Sequence, residues 1–226
     1  MSTTGSAGMR DRLVQAAVAL LAAEGPAALQ ARRLAREVGA STMAVYHYFG
    51  GMPQLLSTVI EEGFRRLDAR LAEVAATDDP VVDLGRLALA YRDVARENPH
   101  LYDVMFGLSA PGGHRPEEHE QPGADEPSVS QRAYGHLVAA TERTVRSGRI
   151  REAEPAHVAA QLWSLLHGYV TLELSGHFDQ FDGPEQVFMP MAFNLLVGLG
   201  DDPERAARSG RRALAAAGSV RANSVH

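Results

Sequence analysis

The 226-residue chain is 45% hydrophobic and 22% charged, a globular balance that excludes a mostly disordered chain, a collagen-like fibre and a small disulfide scaffold. It has no cysteine, and its 22 basic residues are all arginine, so disulfides, thiolate zinc sites, cysteine nucleophiles, a lysine Schiff base and a P-loop lysine are excluded. The formal net charge is −6, yet residues 1–50 carry five arginines against three acids, a slightly basic head on an acidic body that allows one local anionic contact.

Abundant alanine, the best helix former, leans the chain towards all-α. Residues 1–8 are small and polar without periodicity and read as a disordered arm. From Arg10 to Glu24, Leu13, Ala16, Ala17, Leu20 and Leu21 recur at helical spacing, and Gly25-Pro26 ends the run. Leu13–Ala23 behind Arg10 and Arg12 has the look of a signal-peptide core, but Gln15 interrupts it and helical continuation accounts for it better. A short second helix, Leu29–Val38, turns Leu34, Ala35 and Val38 to one face, and Gly39 suits a left-handed position after its end. Ser41 is a good N-cap for a third helix, Ser41–Tyr48, which Gly50-Gly51 breaks.

Pro53 opens a long fourth helix to about Ala76. Asp79-Pro80 caps a fifth to about Glu97, and Asn98-Pro99 a short sixth through Phe106. Residues 110–127 are rich in proline, glycine and acid and read as a solvated loop. Ser128 or Ser130 caps a seventh helix to about Arg146. Pro155 starts an eighth to about Ser175, Pro184 a ninth to about Leu199, and Asp202-Pro203 a tenth to about Ala217. No alternating strand pattern or Asn-Gly hairpin occurs. The charge-free stretch Val158–Leu172 contains Gln161 and His167 and is shorter than the about 20 apolar residues of a membrane span, so the expectation is a soluble cytoplasmic protein with no membrane partner. The segments divide into an arm (1–8), a head (9–52), a larger helical body (53–218) and a tail (219–226), with the fourth helix shared between head and body and placed to transmit motion.

Leu29–Leu56 has the pattern of a helix-turn-helix. Its first helix turns Leu34, Ala35 and Val38 inward, Gly39-Ala40 make the turn, and the second helix buries Val45 and Phe49, four residues apart. Ser41, Thr42, Met43, Tyr46 and His47 are left facing outward. Such a face serves a short helix lying in a DNA major groove, where its N-terminus reads base edges and later residues hold phosphates.

Glu24-Gly25, Arg33-Leu34-Ala35, Val38-Gly39-Ala40-Ser41, Val45-Tyr46-His47-Tyr48-Phe49 and the leucine pair of the fourth helix together resemble the DNA-binding head of the TetR family of bacterial transcriptional regulators. The resemblance implies that Thr42 and Met43 touch bases, that Tyr46 and His47 hold phosphates, and that the segment around Gln30 to Arg33 meets the backbone. The DNA-binding set is thus Arg32, Arg33, Ser41, Thr42, Met43, Tyr46 and His47. Met52 departs from the pattern, since the family often has a phosphate-gripping lysine there, and a weaker salt dependence follows.

Leu162–Leu174 resembles the Trp-x-x-x-His-Gly signature of one C-terminal domain type of the same family: Trp163 and His167 lie four apart on one face, and Gly168 permits close approach. A ligand region or a dimer seam is one reading of this stretch, and a core tryptophan with a satisfied histidine is the other. The resemblance implies a body lined by Phe64, Leu67, Tyr91, Met105, Phe106, Tyr134, Trp163 and His167. With few charges facing inward, that lining suits an apolar or aromatic small molecule of unknown identity, anchored by Tyr91 and His167. The eighth and ninth helices are apolar nearly all round and must be covered on all sides. Two copies forming a four-helix bundle do this, with Leu162, Leu166, Tyr169, Phe188, Met191, Ala192 and Leu195 as the expected seam.

Glu97-x-x-His100 and Glu154-x-x-His157 have the spacing of helical di-iron sites, but each carries a proline and sits at a helix start, and only Glu173 offers a further core carboxylate. His114 and His119 fall in the loop. No metal, cofactor or catalytic residue is expected. The reading is an all-α homodimeric regulator of double-stranded DNA with a near-palindromic operator, a repressor released by a ligand. The alternative, a helical-bundle enzyme or adaptor, leaves the outward face of Ser41–Tyr48 without a use.

Overall fold

The computed structural model describes residues 3–109 and 126–223. Among these residues every regular element is helical: α1 (Thr3–Glu24), α2 (Ala31–Glu37), α3 (Thr42–Phe49), α4 (Met52–Ala72), α5 (Pro80–Glu97), α6 (Pro99–Met105), α7 (Val129–Arg146), α8 (Pro155–Leu174), α9 (Phe188–Gly198) and α10 (Pro203–Asn223), with a 3-10 turn at Pro26–Ala28. The all-α class read from the sequence holds.

Three of these helices start at a side-chain cap followed by proline. Asp79 Oδ1 accepts from the Val81 amide at 3.1 Å, Asn98 Oδ1 from the Leu101 amide at 3.0 Å, and Asp202 Oδ1 from the Arg205 amide at 2.8 Å. Each cap satisfies an amide that has no partner inside the helix, and the following proline has no such amide to satisfy.

The boundaries differ from expectation in three places. Residues 3–8, expected as an arm, continue α1; no proline interrupts them, so the helical ladder extends outward. α9 starts at Phe188 rather than Pro184, because the Met189 amide bonds back to the Pro184 carbonyl at 2.9 Å, five residues away, which makes the first turn too wide for an α-helix. α10 runs past Ala217 to Asn223. Most of the expected loop, with His114 and His119, and the last three residues of the tail lie outside the described residues.

The chain divides into two compact units, Met1–Arg66 with Glu97–Ser130, and Leu67–Arg96 with Gln131–His226. The unit holding the head therefore passes the expected boundary at 52 and takes in α4 to Arg66 and all of α6. Its core joins Leu13, Ala17 and Leu21 of α1, Leu34 and Ala35 of α2, Val45 of α3, and Leu55, Val59 and Ile60 of α4, all buried. α6 joins this core through two glycines. A Cβ on Gly63 of α4 would lie 2.5 Å from Met105 Sδ, and the His100 ring rests against Gly25, whose φ of +77° turns the chain after α1; only glycine combines that approach and that backbone cheaply.

The second unit contains α4 from Leu67, α5 to Arg96, α7 from Gln131, and α8 to α10. Its apolar core includes Val82, Leu89, Tyr91, Val158, Val170, Phe188, Leu196 and Ala213, and Gly85 lets α5 approach Ala213 of α10, where a Cβ would come within 2.7 Å. The expectation that few charges face inward is overturned. Asp83, Arg92, Arg149 and Asp201 are each no more than 4% exposed. They are buried because each has a partner of opposite charge, without which burial would be prohibitive. Arg149 donates to Asp201 at 2.7 and 2.9 Å, to Asp79 at 2.5 Å and to Ser209 at 3.2 Å. Burial pushes the Asp79 carboxyl up, but the Ser209 hydroxyl and the Arg149 charge outweigh it and hold the group below its ordinary value. Arg143 donates to Asp83 at 2.6 Å, and Arg92 forms a bidentate pair with Glu173.

Candidate functional site

The helix-turn-helix is built as its sequence implies. α2 ends on Val38, Gly39 takes the left-handed conformation with φ +67°, and the Ala40 amide closes the helix end by bonding to the Ala35 carbonyl at 2.8 Å. Ser41 is extended and occupies the N-cap of α3, but its side chain makes no capping bond; with the residue exposed, the hydroxyl is available to an outside partner. Val45 is fully buried and Phe49 is 8% exposed, which fastens one face of α3 to the head. The other face is open: Met43 is 68% and Tyr46 53% exposed. Ser41 and His47 lie beside them, also exposed, and Thr42 is half-buried. The His47 ring meets Tyr48 edge-on at 4.9 Å.

The two expected arginines part company. Arg32 is exposed, whereas Arg33 is paired with Glu24 at the end of α1, and its Nε is buried without an acceptor. Arg33 thus binds α2 to α1 rather than standing open like Arg32. Its sequence position two residues into α2 carried no sign of that pairing, because Glu24 lies across a turn.

The residues expected around a ligand fall in both units. In the first, Phe64 meets Phe106 edge-on at 5.5 Å, and Met105 is buried against Gly63. In the second, Leu67 is buried, and Tyr91, His167, Trp163 and Tyr134 form a chain of contacts. The Tyr91 hydroxyl lies 3.1 Å from His167 Nδ1, the His167 and Trp163 rings are 5.5 Å apart, and Tyr134 meets Trp163 edge-on at 5.9 Å. Burial lowers the His167 pKa below the ordinary histidine value and raises the Tyr134 hydroxyl above its own, so this cluster is uncharged at neutral pH. Arg92, the neighbour of Tyr91, adds no open charge, since Glu173 takes its guanidinium.

Of the expected seam, Met191 is 38% exposed and Leu162, Ala192 and Leu195 are half-buried. Leu166, Tyr169 and Phe188 are corrected: each is no more than 7% exposed within its own chain. Tyr169 stacks on Phe178 at 5.4 Å, meets Phe188 at 5.3 Å, and donates towards Glu173 Oε1 at 3.2 Å and the Gly183 carbonyl at 3.4 Å. An all-round apolar helix does not reveal which stripe its own core takes, and these residues form that stripe. Of the apolar side chains of α8, Trp163, 37% exposed, and Leu172, 42% exposed, stand open instead, nine residues apart and so on opposite sides of the helix. Leu172 was missed, although it follows Leu165 by the seven-residue interval that places two residues on one helical stripe.

Glu173, the carboxylate considered for iron, is held by Arg92 and Tyr169, and among the described residues no three metal-ligating side chains gather. Nor is any helix among them long and apolar enough to cross a membrane.

A short helix anchored by one face, open on the other and set behind a glycine turn defines a helix-turn-helix DNA-binding protein with a helical companion domain. Residues 13–59 match the family model for bacterial regulatory proteins of the tetR family, and residues 84–195 match the tetracyclin repressor-like C-terminal domain. The chain belongs to the TetR family of transcriptional regulators. It is 28% identical over 195 residues to the uncharacterized HTH-type transcriptional regulator Rv0681 of Mycobacterium tuberculosis, covering 84% of this chain and 81% of that one. Among solved structures it resembles a protein of unknown function from Rhodococcus sp. RHA1, with a TM-score of 0.70 at 26% identity over 85% of this chain and 96% of the other. It also resembles the putative regulatory protein SCO4313, with a TM-score of 0.64 at 26% identity over 88% and 98%.

Proposed function

We propose that this regulator acts in the cytoplasm as a homodimeric repressor that binds a near-palindromic duplex through α3 and leaves it when a small molecule binds the body. The observation that carries the reading is the open face of α3, where Met43 and Tyr46 stand in solvent opposite a fully buried Val45. Exposing two large side chains on an eight-residue helix serves no packing purpose, and a major groove accepts a helix of that size. Thr42 and Met43 read bases, Tyr46 and His47 hold phosphates, and Arg32 adds a backbone contact. With no lysine at Met52 or elsewhere, the contact count, and with it the salt dependence, stays low.

The ligand reading rests on Tyr91, Tyr134, Trp163 and His167. Their rings offer aromatic surface, and the Tyr91–His167 pair offers polar atoms without charge, so the inducer is a neutral, apolar or aromatic molecule with a hydrogen-bonding group. Dimerisation rests on the apolar side chains that α8 and α9 leave open, Leu172 and Met191, together with the half-buried Leu162 and Leu195, since apolar surface left in water is otherwise a cost.

Selection of bound sequences from a random duplex pool tests the proposal. The expected result is a recurring sequence with two inverted half-sites about one helical turn apart, or a small multiple of it. Recovery of unselected sequence, with no symmetric motif, contradicts it.

A further inference from the structure

Two arginines of α1 lie outside the set expected to meet DNA, yet they grip the chain on either side of α3. Arg12 donates from Nη2 to the Val38 carbonyl at 2.7 Å. Val38 is the C-cap of α2, directly before Gly39. A guanidinium there satisfies a carbonyl the helix leaves without a partner and faces the negative end of the α2 dipole. Arg10, two residues earlier, lays its guanidinium over the Phe49 ring, 5.1 Å from the centroid, and reaches Thr58 Oγ1 of α4 at 3.4 Å. Phe49 is the last residue of α3.

From these contacts we infer that Arg10 and Arg12 are positioning residues for DNA recognition, one fixing the turn that enters α3 and the other the residue that ends it. The inference rests on the reading of α3 as the helix that meets DNA. α3 spans eight residues, about 12 Å at 1.5 Å per residue, so a small change in the angle of either end carries Thr42 and Met43 off the base edges. Neither arginine needs a phosphate for this role. Both side chains are exposed, but both charges are already engaged by other groups of the head, Arg12 by a carbonyl and Arg10 by a ring and a hydroxyl. Specificity thus depends on two side chains that do not read the DNA, and the groups they hold, Val38 and Phe49, belong to the apolar frame of the helix-turn-helix.

The test compares two duplexes of equal length, one carrying the selected sequence and one scrambled, over a range of salt concentrations. The variants are Arg12→Met and Arg10→Met, which keep the apolar stem and remove the charge, and Arg12→Lys, which keeps a donor for the Val38 carbonyl. A positioning role predicts that Arg12→Met and Arg10→Met each bind the selected duplex about tenfold more weakly and the scrambled duplex as wild type does. The slope of log affinity against log salt is unchanged, and Arg12→Lys recovers most of the loss. Equal losses on both duplexes, with the slope reduced by about 0.9 for the missing contact, mean that the arginine is a phosphate contact, and the inference fails. Unchanged affinity for both duplexes also overturns it. If the wild type itself shows no preference for any duplex, the reading of α3 has failed first. Thermal melting of each variant accompanies the binding curves, and a loss of specificity at an unchanged melting temperature is the signature of positioning rather than of folding.

Discussion

Removing the carboxylate of Glu173 tests the most consequential feature of the body's interior. Arg92 is 2% exposed, and its Nε lies 2.8 and 3.0 Å from the two Glu173 oxygens while Nη2 lies 2.5 Å from Oε1. The Tyr169 hydroxyl adds a bond at 3.2 Å. Glu173→Ala strands the guanidinium in the interior without its hydrogen-bonded counter-charge, and breaking a buried pair in this way costs about 3–5 kcal/mol. Counting bonds agrees: two charge-assisted hydrogen bonds at about 1.5–3 kcal/mol each give a similar range. In a chain of this size the melting temperature should fall by roughly 10 °C. Replacing both partners, as in Arg92→Met with Glu173→Leu, removes the stranded charge and fills its space with apolar volume, so the double variant should return close to wild type. Guanidinium chloride unfolding of the three proteins gives the comparison directly. A loss under about 1 kcal/mol for Glu173→Ala, or a double variant as unstable as the single one, refutes the reasoning.

Gly63→Val should destabilise the first unit by about 1–3 kcal/mol, because the new methyls meet Met105 in a filled space; pairing it with Met105→Ala should recover part of the loss in the same unfolding assay. Tyr169, pushed up to about 12 by burial and by the Glu173 carboxylate, favours the folded state while neutral. Its contribution is complete below the ordinary tyrosine pKa of about 10 and is lost as pH rises towards 12. Ultraviolet titration of wild type against Tyr169→Phe should show one late ionising tyrosine missing. In light scattering the wild type should run as the proposed dimer and Leu195→Glu as a monomer, since an unpaired charge in an apolar seam costs several kcal/mol, of order 3; a Leu195→Glu dimer removes Leu195 from the seam.

Much of the architecture was legible because this sequence punctuates its helices with chemistry. Asp79-Pro80, Asn98-Pro99 and Asp202-Pro203 each combine a capping side chain with a residue that tolerates the first turn, and each marks a helix start to within a residue. The helix-turn-helix was legible for the same reason: Gly39 and the Val45–Phe49 pair are local signals. What escaped was long-range. Arg92 and Glu173 are 81 residues apart, and Arg149 and Asp201 are 52 apart, so helical patterning left Arg92, Arg149 and Asp201 as surface charges and, although it marked Glu173 as a core carboxylate, gave it no partner. The inward stripe of α8 escaped because Leu166 and Tyr169 differ from Leu172 in which way the helix faces, not in hydrophobicity. Pro184 misplaced the start of α9, since a proline is equally at home in the wide turn that precedes it. Among the candidate site residues, the sequence marked Met43 and Tyr46 by what is unusual about them outside a core, whereas the Arg33–Glu24 pair left no such trace.

The central claim is that the open face of α3 reads the DNA, and a second round of sequence selection tests it most directly. Wild type, Thr42→Ala, Met43→Ala and Tyr46→Phe are each taken through the same random duplex pool, and the affinity of each for the wild-type sequence is measured. Residues that touch bases should relax or change the preference at particular positions, at about 1–3 kcal/mol of lost discrimination for a good contact. Tyr46→Phe should instead weaken all sequences alike and leave the recovered motif unchanged. If all four proteins recover the same motif with the same affinity, the face is not the reader, and the contact with DNA lies elsewhere on the head.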